Sequence, residues 1–209
     1  KQLNKTNLGW LILIALMAAV LFIGVSSNVI SPFYQITLVT IMINIILAIG
    51  LNLVIGFSGQ FSLGHAGFMA IGAYSGAIIG DRMEGLAGFF VGLIVGMVIS
   101  IIVALIVGIP TLRLKGDYLA IATLGVAEII RILILNMGEL TNGARGISGI
   151  SFPFESNTSF IMVLFVILIV TTIITVNYIN SSPGRATIAI REDEIAAESM
   201  GVNATTYKV

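Results

Sequence analysis

The stretch LAGFFVGLIVGMVISIIVALIVGI, residues 86–109, contains no charged side chain and exceeds the roughly 20 apolar residues that a transmembrane helix needs. The whole chain has a similar character, because 57% of its 209 residues are hydrophobic and only 10% are charged, with a mean hydropathy of +1.09. In soluble domains about a quarter of the residues are charged. The sequence therefore predicts an integral membrane protein.

Five further apolar stretches accompany this one, and together they predict an all-α fold, a polytopic membrane helix bundle with about six spans. No charged residue falls between Lys5 and Asp81 or between Glu155 and Arg185. A cleavable signal peptide is the alternative for the first stretch, but no clean small-x-small cleavage site follows it. The predicted spans are residues 8–25, 33–55, 66–80, 86–109, 118–137 and 160–179.

The placement of lysine and arginine predicts the orientation, because positively charged loops stay in the cytoplasm. With the N-terminus inside, seven basic residues lie on the cytoplasmic side, two lie outside, and Arg131 lies within the fifth span. We therefore expect a multi-pass protein of the plasma (inner) membrane whose N-terminus and residues 181–209 are cytoplasmic. The cytoplasmic set is Lys1, Lys5, Arg113, Lys115, Arg185, Arg191 and Lys208, and the external pair is Arg82 and Arg145.

Glycine recurs at every fourth residue on two neighbouring spans. Small residues at this spacing let helix backbones approach closely in lipid, where no hydrophobic drive brings helices together. We expect the third and fourth spans to pack inside the bundle through Gly72, Gly76 and Gly80 on one helix and Gly88, Gly92 and Gly96 on the other.

The composition excludes several classes of function. The chain has no cysteine and a single histidine, so it cannot build a thiolate or multi-histidine metal site. Zero net charge leaves no basic surface for nucleic acid. No glycine-rich run precedes a Lys-Ser or Lys-Thr pair, so the chain carries no P-loop, and no cofactor is expected within it.

The stretch GFSGQFSLGHA, residues 56–66, is too rich in glycine and polar residues for a strong helix. Irregular backbone at membrane depth is tolerated only inside protein or beside a watery cavity, so one interpretation is a broken segment along a translocation path. The other interpretation is a plain cytoplasmic turn, with the histidine as a packing residue. The candidate path residues in this stretch are Ser58, Gln60, Ser62 and His65.

The fifth span contains two opposite charges. Asp117 is predicted to cap it, and Glu128 follows about 16 Å further along, near the bilayer centre. A carboxylate at that depth costs on the order of 3 kcal/mol. Arg131 lies on the same face and can pair with Glu128. The pair, Glu128 and Arg131, either faces the translocation path or is a structural ion pair.

The residues after the sixth span predict one cytoplasmic helix. Ser182 can cap it, Pro183 suits its first turn, and Gly201 can close it. One side is charged and another is rich in alanine, which favours a docking element for a cytoplasmic partner. A helix lying on the membrane surface is the alternative, but the charges are mainly acidic where anionic lipid favours basic residues.

Within that helix, GRATIAIREDEIAAESMGVN (184–203) resembles the coupling motif of permease subunits of branched-chain amino acid ABC importers. Three other stretches resemble segments of the same family in the same order: GLNLVIGFSGQFSLGHAGFMAIGAY (50–74), LRLKGDYLAIATLGVAEIIR (112–131) and LTNGARGISGI (140–150). The resemblance implies a surface that inserts into an ATPase subunit, formed by Gly184, Arg185, Arg191, Glu192, Asp193, Glu194, Ala196, Ala197 and Gly201.

The resemblance also implies one importer transmembrane domain over residues 1–209, with a cytoplasmic coupling segment at 181–203. The chain is expected to be incomplete at its C-terminus, because the family continues into further spans. The expected function is ATP-driven import of branched-chain amino acids by alternating access, by a transport subunit that is not itself an enzyme. The expected partners are cytoplasmic ATPase subunits that bind ATP and magnesium, a second permease subunit, an external substrate-binding protein and the lipid bilayer, with no nucleic acid.

Two other functions stay open. Permeases for urea and short amides resemble the same family, and an ion-coupled secondary transporter could also use Glu128 and a broken helix. The wider importer superfamily has Glu-Ala-Ala, three residues and then Gly, whereas here Ile195 precedes the two alanines and the nearest acid is Glu194. An intramembrane enzyme is disfavoured, because no serine-histidine or paired-carboxylate arrangement is evident.

Overall fold

The computed structural model describes residues 5–27, 29–83, 85–111, 114, 116–150, 154 and 156–208. Within these residues all regular structure is helical, with no strand. A π-helical turn at Leu53–Phe57 continues the second helix, and a 3₁₀ turn lies at Gly143–Arg145. The α-helices are α1 Lys5–Ser26, α2 Pro32–Asn52, α3 His65–Arg82, α4 Gly85–Thr111, α5 Asp117–Asn136, α6 Gly138–Thr141, α7 Asn157–Asn180, α8 Ser182–Glu192, α9 Glu194–Ser199 and α10 Ala204–Lys208.

The predicted spans all fall on helices, namely α1 to α5 and α7, which confirms the polytopic helical bundle. Among the described residues, four helices are long and apolar enough to cross a membrane: Pro32–Phe57, Gly85–Thr111, Asp117–Asn136 and Asn157–Asn180. In α1 the part with described side chains is Leu16–Ser26, which is apolar but shorter than these four helices. α3 is an 18-residue helix that ends on the charged pair Asp81 and Arg82.

The chain divides into two compact units. The first comprises the described residues of Lys1–Leu47 with Phe154–Ile173, and the second comprises those of Ala48–Pro153 with Ile174–Val209. The first unit has an aliphatic core whose most buried side chain is Ile161, and burial of such side chains stabilises a fold by about 1.5–3 kcal/mol each where water is displaced. The other buried members of this core are Val25, Met42, Leu164 and Phe165.

In the second unit, α3 and α4 pack through four of the six glycines that the sequence predicts. The other two differ, because Gly80 faces Ile150 and Gly88 faces Met83. A Cβ built on Gly92 would lie 3.0 Å from the Cα of Gly76, and one on Gly96 would lie 3.3 Å from the Cα of Gly72. Gly92 and Gly96 are both buried. Any side chain at these two α4 positions would therefore push the helices apart, and only glycine allows backbone contact.

This contact predicts a difference between two glycines of the same helix. Gly92→Val should lower the stability of the membrane-inserted protein by about 1–3 kcal/mol, because the added carbons overpack a backbone contact. Gly108→Val is the matched control, since a Cβ there meets no atom of the described residues within 4 Å. Thermal unfolding of both variants in the same detergent measures the effect, and equal melting temperatures would contradict the packing argument.

Candidate functional site

The polar stretch after α2 is irregular, as the sequence predicts. α2 passes through the π-helical turn Leu53–Phe57, and residues 58–64 then have no regular structure until α3 begins at His65. Gly59 has a φ of +67°, in the left-handed region that glycine adopts readily. We call residues 58–64 the irregular segment.

Wide backbone hydrogen bonds close the turn before this segment. The N–H of Ser58 donates to the carbonyl of Leu53, and the N–H of Gln60 donates to the carbonyl of Val54, each at 3.1 Å. These bonds join residues five and six positions apart, whereas an α-helix joins residues four positions apart, so the regular α-helical bonding ends at this turn.

The other end of the irregular segment is bonded to α5. The N–H of Leu63 donates to the hydroxyl oxygen of Thr123 at 3.0 Å, and a Cβ on Gly64 would lie 3.1 Å from the Thr123 carbonyl oxygen. One turn into α3, a Cβ on Gly67 would lie 3.0 Å from the Cα of Ala127. The start of α3 is therefore held closely against α5.

Of the predicted path residues in this stretch, Ser62 and His65 lie beside the start of α3. The Ser62 hydroxyl accepts from the N–H of Gly64 at 3.4 Å. His65 is half-buried, and its Nε2 has no hydrogen-bond partner among the described residues. A Cβ on Gly50 of α2 would lie 3.7 Å from His65 Cε1, so the imidazole packs beside α2.

The charged pair forms on α5. Nε of Arg131 donates to one carboxylate oxygen of Glu128 at 2.8 Å, and Nη2 donates to the other at 2.5 Å. This two-bond geometry orients the guanidinium and the carboxylate in one plane. The Glu128 side chain is 52% exposed and the Arg131 side chain is 60% exposed. The other described residues therefore cover less than half of either side chain.

The predicted cap of α5 was wrong. Asp117 is the first helical residue, and Gly116, with a φ of +58°, occupies the cap position without a side-chain hydrogen bond. The carboxylate of Asp117 still lies in the first turn, where a negative charge complements the helix dipole.

α8 also begins one residue earlier than predicted. Ser181, not Ser182, is the cap, and its hydroxyl accepts from the N–H of Gly184 at 3.2 Å. Gly184 is buried against the end of α7, and a Cβ at this position would collide with the carbonyl oxygen of Tyr178. The Tyr178 hydroxyl bonds the Thr187 hydroxyl at 3.0 Å, which fixes α8 to the end of α7.

The predicted continuous helix is interrupted at Asp193. The backbone there is extended, and the Asp193 carboxylate accepts from the N–H groups of Ile195 and Ala196 at 2.9 and 3.0 Å. Aspartate is among the best helix caps, so this side chain starts a second helix, α9, within the motif. The sequence contains that signal, but the helical periodicity around it conceals the break.

α9 ends at Ser199, and Gly201, which the sequence predicts to close the helix, follows the cap residue with a φ of +83°. The N–H of Val202 donates to the Ala197 carbonyl at 3.1 Å, and the N–H of Gly201 donates to the Glu198 carbonyl at 2.9 Å, which is the Schellman pattern. Ala197 then packs in a small core of its own segment with Ile190 and Ala204, flanked by Val202 and Tyr207.

The residues assigned to the coupling surface thus divide into two groups. Gly184 and Ala197 are buried, the latter 6% exposed, and Glu194 is half-buried. Two large apolar side chains outside the predicted set are strongly exposed, Ile195 at 78% and Met200 at 85%. The exposed members of the predicted set are Arg185, Arg191, Glu192, Asp193, Ala196 and Gly201.

Arg191 makes a contact that the sequence does not reveal. Its Nη1 donates to the carbonyl oxygen of Gly56 at 2.6 Å, across 135 positions of sequence. Its Nε and Nη2 donate to the Glu192 carboxylate, and its Cγ lies 2.5 Å from the place where a Cβ on Gly59 would be. The end of α8 is therefore joined to the π-helical turn and to the irregular segment.

Ser58 and Gln60 line two cavities at this junction. One has a volume of about 290 Å³ and extends past Arg191 to Gly108 of α4, and the other has a volume of about 520 Å³ and extends past Tyr178. Both predicted path residues therefore lie beside the coupling segment. Among the described residues no cluster of His, Asp or Glu is arranged to hold a metal ion.

Residues predicted on the external side also lie together. Asp81 and Arg82 of α3, together with Glu139, Asn142 and Ser148, line a third cavity of about 250 Å³. The cavity brings the end of α3 together with α6, the short helix after α5, and the contact between Arg191 and Gly56 joins the end of α8 to the π-helical turn. The side of the membrane that each set of loops faces stays a prediction.

Helices of this length and apolarity define a multi-pass membrane protein, and three short helices, α8 to α10, follow its last long helix. The chain belongs to the family described as the permease component of branched-chain amino acid transport systems, whose model matches residues 33–209. The chain is therefore a multi-pass membrane protein of this permease family.

Two relatives are the high-affinity branched-chain amino acid transport system permease protein LivM of Salmonella typhimurium (strain LT2) and that of Escherichia coli (strain K12). The first is 37% identical and the second 36% identical over 197 residues, each match covering 80% of this chain and 46% of the relative. The chain thus spans about half the length of these curated relatives. No solved structure matches the chain.

The pair on α5 allows a test of whether its charge is needed for transport. Glu128→Gln leaves Arg131 without its partner at membrane depth, which costs on the order of 3 kcal/mol, so the folded membrane level should fall. The double variant with Arg131→Gln removes both charges and should recover that level. We expect its uptake to stay low at matched level, and normal uptake by the double variant would assign the pair to structure alone.

Proposed function

We propose that this chain is the membrane-spanning subunit of an ATP-driven importer that moves branched-chain amino acids into the cell by alternating access. The observation that carries the proposal is the family match over residues 33–209, which includes the folded coupling segment. In this mechanism the permease contributes the path, and nucleotide-driven movement of its partners opens the path to one side of the membrane at a time.

ATP hydrolysis is assigned to separate cytoplasmic ATPase subunits, which bind ATP and magnesium. The sequence supports this assignment because it contains no P-loop. A second permease subunit and an external substrate-binding protein complete the proposed assembly. The substrate class follows the printed names of the two relatives, and urea or a short amide is the alternative that a competition experiment would detect.

The proposal predicts the energy source of uptake. The full-length permease, reconstituted with its ATPase subunits and binding protein, should accumulate radiolabelled leucine when ATP is enclosed with the ATPase subunits. Collapse of the proton gradient should leave that uptake unchanged. Uptake that follows the proton gradient and ignores ATP would assign the chain to the secondary transporters, and competition by urea but not by isoleucine would reassign the substrate.

The docking surface for the ATPase is proposed to centre on Ile195 and Met200. Both are large, apolar and more than three-quarters exposed on a segment that is capped at both ends and has its own core. Burial of such a side chain contributes about 1.5–3 kcal/mol, enough to anchor a partner. Ala197 is unsuited to this role, because its methyl group packs inside the segment.

Polar replacement of these anchors should weaken ATPase binding without unfolding the segment. Ile195→Ser combined with Met200→Ser should lower ATPase co-purification at least about tenfold at matched membrane level, which corresponds to 1.4 kcal/mol. Thr205→Ala, an exposed change on α10, is the control. Wild-type recovery of the ATPase by the double variant would exclude this surface as the docking site.

A further inference from the structure

The contact between Arg191 and the turn after α2 connects two parts of the chain that are distant in sequence. The turn leads into the irregular segment, and Arg191 is the next-to-last residue of α8. We propose that Arg191 is a positioning residue that transmits movement of the coupling segment to the start of α3. The inference rests on the proposed function, because it assigns one residue to the coupling step of that transport.

The carbonyl of Gly56 needs a donor from outside its own helix. The last carbonyls of a helix lack intrahelical partners, and the wide bonds of this turn leave Gly56 in that position. Nη1 of Arg191 donates to this carbonyl at 2.6 Å, while Nε and Nη2 donate to the Glu192 carboxylate along another edge of the guanidinium. A planar group with several fixed donors can make both contacts at once, which a lysine ammonium cannot reproduce.

Gly59 makes room for the stem of the same arginine. A Cβ at Gly59 would lie 2.5 Å from Cγ, 3.3 Å from Cβ and 3.4 Å from Cδ of Arg191. The positive φ of Gly59 disfavours any other residue independently of this contact. The irregular segment is therefore shaped around the arginine by both its backbone conformation and its missing side chain.

The irregular segment continues the connection to the membrane helices. Its far end is bonded to Thr123 of α5 through the Leu63 N–H, and Gly64 packs on the same threonine. A displacement of α8 therefore acts on the π-helical turn at Gly56 and on the irregular segment at Gly59. Because the far end of the segment is bonded to Thr123, we expect the displacement to reach the start of α3 and α5.

The first experiment separates docking from transmission. In the reconstituted full-length complex, Arg191→Met keeps the apolar stem and removes the donors. We expect the substrate imported per ATP hydrolysed, compared at matched recovery of the ATPase, to fall at least tenfold. Arg191→Lys should give a similar loss, since it keeps the charge without the fork. Glu198→Gln, an exposed change in the same segment, is the control and should couple normally.

The possible outcomes are distinct. Normal import per ATP by Arg191→Met would overturn the inference, and loss of ATPase co-purification would overturn it in favour of a direct docking role for Arg191. If the wild-type complex shows no ATP-dependent uptake, the proposed function fails instead. Measurement of the wild-type complex reveals this before any variant is tested.

A cysteine pair tests the same connection when the variants fold poorly. The chain has no cysteine, so Gly59→Cys with Arg191→Cys introduces the only pair within it. The 3.3 Å between the two Cβ positions is close to the 3.5–4.5 Å of a disulfide.

We expect a disulfide to form under oxidation and to raise import per ATP at least fivefold over the reduced form. Strain at position 59 is common to both forms. Failure of the disulfide to form, or its formation without recovery of coupling, would overturn the inference.

Discussion

In a bilayer, backbone N–H and carbonyl groups must find their hydrogen-bond partners within the protein, because the lipid offers none. Long helices satisfy this requirement along most of the chain, and the requirement becomes demanding only where a helix is interrupted. The turn after α2 is such a place. There the partners come from distant parts of the second unit, with Arg191 donating to the Gly56 carbonyl and Thr123 accepting from the Leu63 N–H. The coupling segment and α5 thus each supply one partner to the interrupted backbone, whether the turn lies at membrane depth or in the cytoplasm.

The same environment explains the use of glycine between α3 and α4. Lipid gives no hydrophobic drive for two apolar helices to associate, so close van der Waals contact must hold them together. Gly92 and Gly96 remove the side chains that would separate the backbones, and the facing positions on α3 are Gly76 and Gly72. This contact matters for the proposed connection through the irregular segment. We expect α3 to move as one helix after a displacement at its start, because its contact with α4 opposes bending.

Features set by local composition could be predicted from the sequence, whereas features set by long-range contacts could not. The spans, the glycine contact and the left-handed Gly201 follow from hydropathy, four-residue spacing and backbone preference. The break at Asp193 was missed because a helical pattern on both sides outweighed one capping residue, and the burial of Ala197 was missed because α10 supplies Ala204 to cover it. The bond from Arg191 to Gly56 joins residues 135 positions apart, and the sequence around each residue contains no sign of the other. The path and coupling roles of the predicted residues stay predictions.

The break at Asp193 also determines how the coupling segment can act in two directions. A single straight helix would present its charged and apolar residues around one axis. With α8 and α9 separated by an extended residue, Ile190 and Ala197 instead meet in a shared core with Ala204, and the segment becomes a small folded body. Arg191, just before the break, bonds the chain's own turn, whereas Ile195 and Met200, after the break, are left exposed. Because this folded body is bonded to the π-helical turn through α8 and exposed through α9, we expect it to pass a displacement from one to the other more directly than an unfolded tail with the same residues would.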